Sequence, residues 1–214
     1  MPLLVVLDVD STLIENEVIE LLAAEAGSLD LVARVTERAM NGEIDFTASL
    51  RERVATLAGL SADAFATVQG LVTVTRGVEE LVAGVHAAGG RIGVVSGGFH
   101  EIVDPFAERL GLDHCRANRL EVRDGKLTGR VFGDIVDAEA KASAITEWAD
   151  AAGIHPHATV AIGDGANDLR MMERAGLSIA FDAKASVREA ADLVLDERDL
   201  SLVLPAIGLE RAKA

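Results

Sequence analysis

The sequence predicts an α/β fold: a doubly wound, Rossmann-like, mostly parallel sheet with a helical cap inserted after its first strand. Three observations carry that expectation. Short runs rich in Val, Ile and Leu recur along the chain and several stop at a carboxylate or glycine, as strands buried on both faces do. Most stretches between them have helical spacing, which gives the βαβ order of a right-handed parallel sheet. Between the first run and the second lie about 80 residues, far more than the dozen or so that a crossover needs.

The first strand is expected at residues 3–7, a continuous apolar run ending at Asp8. Residues 15–74 carry amphipathic segments of their own. Phe46, Leu50, Val54 and Leu57 make one helical stripe, and Ser61 suits the N-cap of the next helix. The expected division is therefore a catalytic core of residues 1–14 and 75–214 with a cap of residues 15–74. In the core, Val78, Leu81, Val82 and Val85 mark a helix that stops at Gly89-Gly90, followed by a strand at 91–95. Ile102, Phe106 and Leu110 mark a second helix ending at Gly111, and Ile145, Trp148 and Ala152 a third ending at Gly153. Asp124-Gly125, between alternating segments at 120–131, reads as a hairpin expected at the sheet edge. Strands are expected at 159–162, 178–181 and 192–195.

Half of the 214 residues are hydrophobic and 26% are charged, a composition that supports a globular core and excludes a linker or tail. Thirty-five Asp and Glu against 20 Lys and Arg give a formal charge of −15. Such a surface repels nucleic acid and anionic membranes, so neither is expected as a partner. A small anionic substrate is compatible only where a metal ion, a lysine or helix N-termini supply local positive charge. The single cysteine, Cys115, allows no intrachain disulfide and reads as a structural thiol in a reducing compartment. The start of the chain lacks a basic segment and meets Asp8 after five apolar residues, so neither an export signal nor a membrane span is expected, and the expected location is cytoplasmic.

In a doubly wound sheet, ligands bind beyond the carboxyl ends of the strands. The segments there are Asp8-Val9-Asp10-Ser11-Thr12, Ser96-Gly97-Gly98 and Gly163-Asp164-Gly165-Ala166-Asn167-Asp168, with Lys141 at the start of the helix leading into the third. Asp8, Asp10 and Asp164 offer hard oxygen ligands too few to enclose an ion, which suits Mg²⁺ because that ion keeps waters and takes substrate phosphate oxygens. Ser96 and its glycines suit a phosphate cradle, and Lys141 is a fixed cation. An ionised carboxylate can attack phosphorus directly, which makes Asp8 the expected nucleophile. Asp10, two residues on, can give a proton to the leaving alkoxide and recover one from water if its pKa is lifted.

These four segments resemble the motifs of the haloacid dehalogenase superfamily. Within it, Val9-Asp10-Ser11-Thr12-Leu13 with Glu17, Asp45-Phe46 through Val54, Val95-Ser96-Gly97-Gly98-Phe99 and Asp164 to Asp168 resemble the branch that hydrolyses phosphoserine. That likeness implies a HAD-like phosphatase of serine biosynthesis. It implies Asp8 as phosphoryl acceptor, Asp10 as general acid and base whose main-chain carbonyl also binds Mg²⁺, and Asp164 as the remaining protein ligand. It places Ser96, Gly97, Lys141 and Asn167 on the phosphate, Asp168 behind Lys141 or a metal-bound water, Glu17 on the substrate ammonium and Arg53 on its carboxylate. No effector-sensing domain is expected, and a monomer or homodimer is.

Other readings are weaker. Val94-Val95-Ser96-Gly97-Gly98 lacks the first glycine of a nucleophile elbow. Gly163 and Gly165 begin a dinucleotide fingerprint, but Asp168 stands where its last glycine belongs. His155-Pro156-His157 reads as a surface loop. A phosphoryl-accepting receiver switch would also use a strand-end Asp, Mg²⁺, a hydroxyl and a lysine, but it needs neither a long cap nor Asp10. A phosphatase or phosphotransferase for another small phosphomonoester keeps the same chemistry and is set apart by Glu17 and Arg53, because only a zwitterionic substrate needs both.

Overall fold

The computed structural model describes residues 2–210. In chain order, strand β1 (Leu4–Leu7) leads into helices α1 (Val18–Glu25), α2 (Leu29–Met40), α3 (Phe46–Ala55) and α4 (Ala64–Leu71). Helix α5 (Val78–Ala87), β2 (Arg91–Phe99), α6 (His100–Leu110) and β3 (His114–Asn118) follow, then a hairpin of β4 (Leu120–Arg123) and β5 (Lys126–Val131). The remainder is α7 (Ala138–Ala152), β6 (Thr159–Gly163), α8 (Leu169–Arg174), β7 (Leu177–Phe181), α9 (Ala185–Ala190), β8 (Leu193–Leu195) and α10 (Val203–Ala206).

Six strands form one parallel sheet in the order β3-β2-β1-β6-β7-β8. β1 is central, Leu7 lying opposite Val94 on one side and Ile162 on the other. All four of its residues are fully buried, and successive side chains face opposite layers. Val5 and Leu7 join the apolar cluster of α5, α6 and the inserted helices, while Leu4 and Val6 join that of α7, α8 and α9. Each such side chain contributes about 1.5–3 kcal/mol by burial. The doubly wound arrangement follows directly from this two-sided burial.

The inserted helices leave and return through a short antiparallel neck. Ile14 bridges Val74, Glu15 N donates to Thr73 O at 2.9 Å, and Thr75 N donates to Leu13 O at 2.9 Å. Leu50, Val54 and Leu57 of the predicted stripe are buried, and Asp45 caps α3 by accepting from Ala48 N at 2.7 Å. Phe46 departs from the stripe, being only partly buried at the mouth of a cavity.

Three expectations are corrected. Ser61 does not cap α4, which begins after Asp63; its hydroxyl instead accepts from Asp63 N at 3.3 Å. The hairpin does not extend the core sheet. It forms a separate two-stranded sheet whose free edge pairs with the insertion: Gly59 N donates to Leu127 O, Leu127 N to Leu60 O and Ala62 N to Gly125 O, each at 2.9 Å. An exposed edge carries unpaired N–H and C=O groups, and the α3–α4 connection satisfies them. Gly129 permits that approach, since a Cβ there would lie 2.9 Å from Ala58 Cβ. The second strand runs past residue 95 to Phe99, so Ser96, Gly97 and Gly98 belong to the strand instead of following it.

Cys115 lies on β3, half-buried, with Sγ 3.5 Å from Asp104 Oδ1. Burial, with Asp104 alongside, pushes its thiol up to about 12. Thiolate is the reactive form, so iodoacetamide at pH 7.5 is expected to leave native Cys115 unmodified for hours and to label it in urea; rapid labelling of native protein would contradict the burial. His100 is beside it, but His100 Nε2 accepts from Ala117 N at 3.1 Å. Nδ1 therefore carries the proton that it shares with Asp104 at 2.6 Å, and the group does not present a free nitrogen to a metal. No described helix is long and apolar enough to cross a membrane.

Candidate active site

β1, β2 and β6 are neighbours in the middle of the sheet, so the residues after them converge on one spot. Asp8 sits at the end of β1 in extended conformation. The following turn, residues 9–13, passes through Ser11 at φ 56°, a left-handed conformation uncommon for a residue with a Cβ. A local bond and a long-range one hold it: Ser11 N donates to Asn16 O at 3.3 Å, and Arg198 Nη2 donates to Ser11 O at 3.2 Å.

Lys141 projects from the first turn of α7, a helix capped by Asp137, and is almost fully buried. Its Nζ lies 2.7 Å from Asp8 Oδ1 and 2.8 Å from Asp168 Oδ1. Burial works to lower the Lys141 pKa, but the Asp168 and Asp8 carboxylates outweigh it and hold the ammonium above its ordinary value. Asp168 is fully buried, its other oxygen accepting from Gly165 N at 3.1 Å. Gly163 makes room for it, since a Cβ there would lie 2.3 Å from Asp168 Oδ2.

Asp8 Oδ1 also accepts from Val9 N at 2.7 Å, whereas Oδ2 meets only Asn167 Nδ2 among the described residues, at 3.5 Å. Oδ2 is the less encumbered oxygen. Asp10 is turned another way: Oδ1 accepts from Val18 N at 2.9 Å, and Oδ2 lies 3.5 Å from Ser96 Oγ. Burial raises its pKa well above the carboxylate range, and the charges of Glu17 and Asp8 add to this. Asp164 is pushed up to about 6 by burial and by Asp8 and Glu17, and Asp168 to about 7 by burial and Asp8.

Asp8, Asp10, Glu17, Arg53, Asp164 and Asn167 line a cavity of about 200 Å³ together with Gly97 and Gly98. Ser96 and Lys141 stand behind its wall, where Ser96 Oγ accepts from Gly98 N at 2.7 Å. Glu17, the residue just before α1, accepts from Ser11 Oγ at 2.8 Å; partial removal from water on the cavity wall, with the charges of Asp8 and Glu20 nearby, raises its pKa. Burial lowers the Arg53 pKa, against the pull of Glu17, Asp10 and Glu20.

The donor set fits a hard divalent cation. Asp8, Asp164 and Asp168 bring carboxylate oxygens within 4.8 Å of one another, and the burial and the Asp8 charge that lift Asp164 are what such an ion offsets. Asp168 has both oxygens committed to Lys141 and Gly165 N, and Asp8 Oδ1 is held by Lys141 and Val9 N, which leaves Asp8 Oδ2 and Asp164 as the freer carboxylate donors. The Asp10 carboxylate points elsewhere, so a contribution from Asp10 falls to its main-chain carbonyl.

Sequence reasoning passed over three residues here. Lys184, in the loop after β7, lines the cavity, and its N–H donates to Asp164 O at 3.0 Å; inspecting the end of that strand as well would have found it. Thr12 Oγ1 lies 3.4 Å from Asp164 Oδ1. Asn118 ties the end of β2 to the segment before α7, donating to Gly97 O at 2.8 Å and accepting from Val136 N at 2.8 Å. Thr12 belongs to the segment after β1 that the sequence singles out, though without a role of its own, whereas Asn118 has no local signal because it acts across the fold. His155 and His157 stack on each other with ring centroids 5.2 Å apart, away from this site.

Known proteins resemble the chain along most of its length. Residues 5–173 match the haloacid dehalogenase-like hydrolase family. A phosphoserine phosphatase of Streptococcus thermophilus is 49% identical over 201 residues, covering 94% of each chain. A phosphoserine phosphatase of Streptomyces coelicolor is 52% identical over 208 residues; the chain spans about half of that relative, 51%. A substrate-bound phosphoserine phosphatase superposes with a TM-score of 0.91 at 42% identity, over 96% of this chain and 98% of that one. An analogue of the phospho-aspartyl intermediate of phosphoserine phosphatase superposes at 0.90 with the same identity and coverage. With its strand-end aspartates gathered beneath one cavity and this likeness running through them, the chain belongs to the haloacid dehalogenase-like hydrolase family.

Proposed function

We propose that the chain hydrolyses O-phospho-L-serine to serine and phosphate through an aspartyl-phosphate on Asp8. One observation carries the reading: Asp8, backed by buried Lys141, opens onto a small cavity whose wall also presents Glu17 and Arg53, one charge for each end of an amino acid. The resemblance to phosphoserine phosphatases supports the same substrate.

The Asp8 and Asp164 carboxylates and the Asp10 carbonyl would hold Mg²⁺, which when bound neutralises charge on the phosphoryl oxygens. A carboxylate oxygen of Asp8 attacks phosphorus and the P–O bond to serine breaks. The raised pKa of Asp10 favours the proton-carrying form that this step needs, and the proton leaves from Oδ2, the oxygen not taken by Val18 N. Water then attacks the acyl phosphate, giving its proton to Asp10 while the bond to Asp8 breaks. Lys141 holds Asp8 in place and offsets negative charge throughout. The helices of residues 15–74 form a cap hinged at the 14–74 neck, which closes over the substrate to exclude bulk water. Asp10 in this state also separates the reading from a receiver switch, which has no use for a proton donor beside its acceptor.

The test is phosphate release from phosphoserine, phosphothreonine, sugar phosphates and nucleoside monophosphates, with Mg²⁺ and with chelator. A metal-dependent preference for phosphoserine is expected; release favouring another ester would discard the substrate but keep the chemistry. Arg53→Ala is expected to raise KM for phosphoserine about tenfold or more, as loss of a charged hydrogen-bond partner does, and to leave an aryl phosphate little changed. Equal losses on both would remove Arg53 from the carboxylate.

A further inference from the structure

Ser49 lies on α3 one helical turn before Arg53, so both side chains share a face. It is 1% exposed, and its Oγ has no hydrogen-bond partner among the described residues. A helical hydroxyl in that position commonly turns back to the preceding carbonyl, as Thr146 does to Ala142 O at 3.3 Å in α7. Ser49 does not. Its main chain is fully engaged instead, with N donating to Asp45 O at 2.9 Å and O accepting from Arg53 Nε at 3.4 Å.

The residue borders open space. Ser49 lines a cavity of about 510 Å³ that shares Thr36, Phe46, Arg53, Asn167 and Lys184 with the chamber above Asp8. The two spaces adjoin, and Arg53 stands where they meet. A buried hydroxyl left unpaired destabilises the folded chain, and a ligand that supplies the missing partner removes that penalty. The chemistry of the partner follows from the neighbour: beside a guanidinium a second cation is repelled, whereas a carboxylate is attracted and accepts from both groups.

We propose that Ser49 Oγ–H donates a hydrogen bond to the substrate carboxylate beside Arg53, making Ser49 a specificity-determining residue of the cap. This rests on phosphoserine as the substrate. Glu17, which starts a different helix, then faces the ammonium, so the two charges of the amino acid are read by separate elements.

Steady-state kinetics of Ser49→Ala and Ser49→Thr on phosphoserine and on phosphoethanolamine, which keeps phosphate and ammonium but lacks the carboxylate, test it. Ser49→Ala is expected to raise KM for phosphoserine about tenfold, the size of one hydrogen bond to a charged group, with KM for phosphoethanolamine unchanged. Ser49→Thr restores it. The Tm of ligand-free Ser49→Ala is expected at or above wild type, because an unpaired hydroxyl has gone, whereas a purely structural serine would lower Tm without splitting the substrates. Unchanged KM on phosphoserine, or equal losses on both esters, overturns the role of Ser49. A wild-type enzyme that does not prefer phosphoserine over phosphoethanolamine overturns the substrate reading itself.

Discussion

Asp8→Asn is expected to lower kcat by about 10⁴-fold or more, the scale of losing a covalent nucleophile from a unit that acts together. An amide oxygen is a poor nucleophile toward phosphorus. Asn also fills the same volume, so the loss is chemical and not steric. Lys141 keeps Asp168 at 2.8 Å, so no buried cation is stranded. The removed charge is one that pushes Asp10, Asp164 and Asp168 upward, so ligand-free Asp8→Asn is expected to melt at or above the wild-type temperature. Acid-quench experiments with ³²P-labelled substrate should trap label on wild type and none on the variant. Activity within tenfold of wild type, or label still trapped, would move the nucleophile elsewhere.

Much of this arrangement was legible because burial writes itself into sequence. Residues 4–7 and 160–163 lack polar side chains since both faces of the central sheet are covered, and the Asp that stops each run marks where the chain meets solvent and ligand. β3 was not legible: His114–Asn118 is an edge strand with a polar sequence, held by pairing with β2 rather than by an apolar run. The docking of the hairpin on the insertion was hidden as well, because Asp124-Gly125 specifies a turn and says nothing of what lies against it. The site divides in the same way. Asp8, Asp10 and Asp164 stand next to strand ends, where local reasoning reaches them. Lys184, Asn118 and Ser49 look like ordinary polar residues, and only their tertiary neighbours give them meaning.

Lys141→Met should damage both activity and folding, and pH separates the two. Met approximates the stem of lysine and removes the charge, leaving Asp8 and Asp168 buried and facing one another. Breaking a buried ion pair from one side costs about 3–5 kcal/mol, or roughly 10 °C in Tm for a chain of this size. kcat is expected to fall about 10²–10³-fold from lost electrostatic stabilisation. The pH dependence follows from Asp168, whose folded pKa is already raised to about 7 with the lysine in place. A carboxyl raised in the folded state binds more protons there than in the unfolded chain, so its stabilising contribution is present at low pH and lost as pH rises through about 7. Without Lys141 that pKa moves higher. In chelator, the Tm deficit of Lys141→Met should therefore be smallest near pH 5 and widen above pH 7, since Lys141 itself is charged in both folded and unfolded wild type across that range. Adding Asp168→Asn removes one of the two stranded carboxylates and should recover most of the Tm at pH 8 without recovering kcat, a non-additivity that reports direct coupling. A deficit independent of pH, or additive losses in the double variant, would mean that Lys141 stabilises the fold by packing and not by holding these two carboxylates.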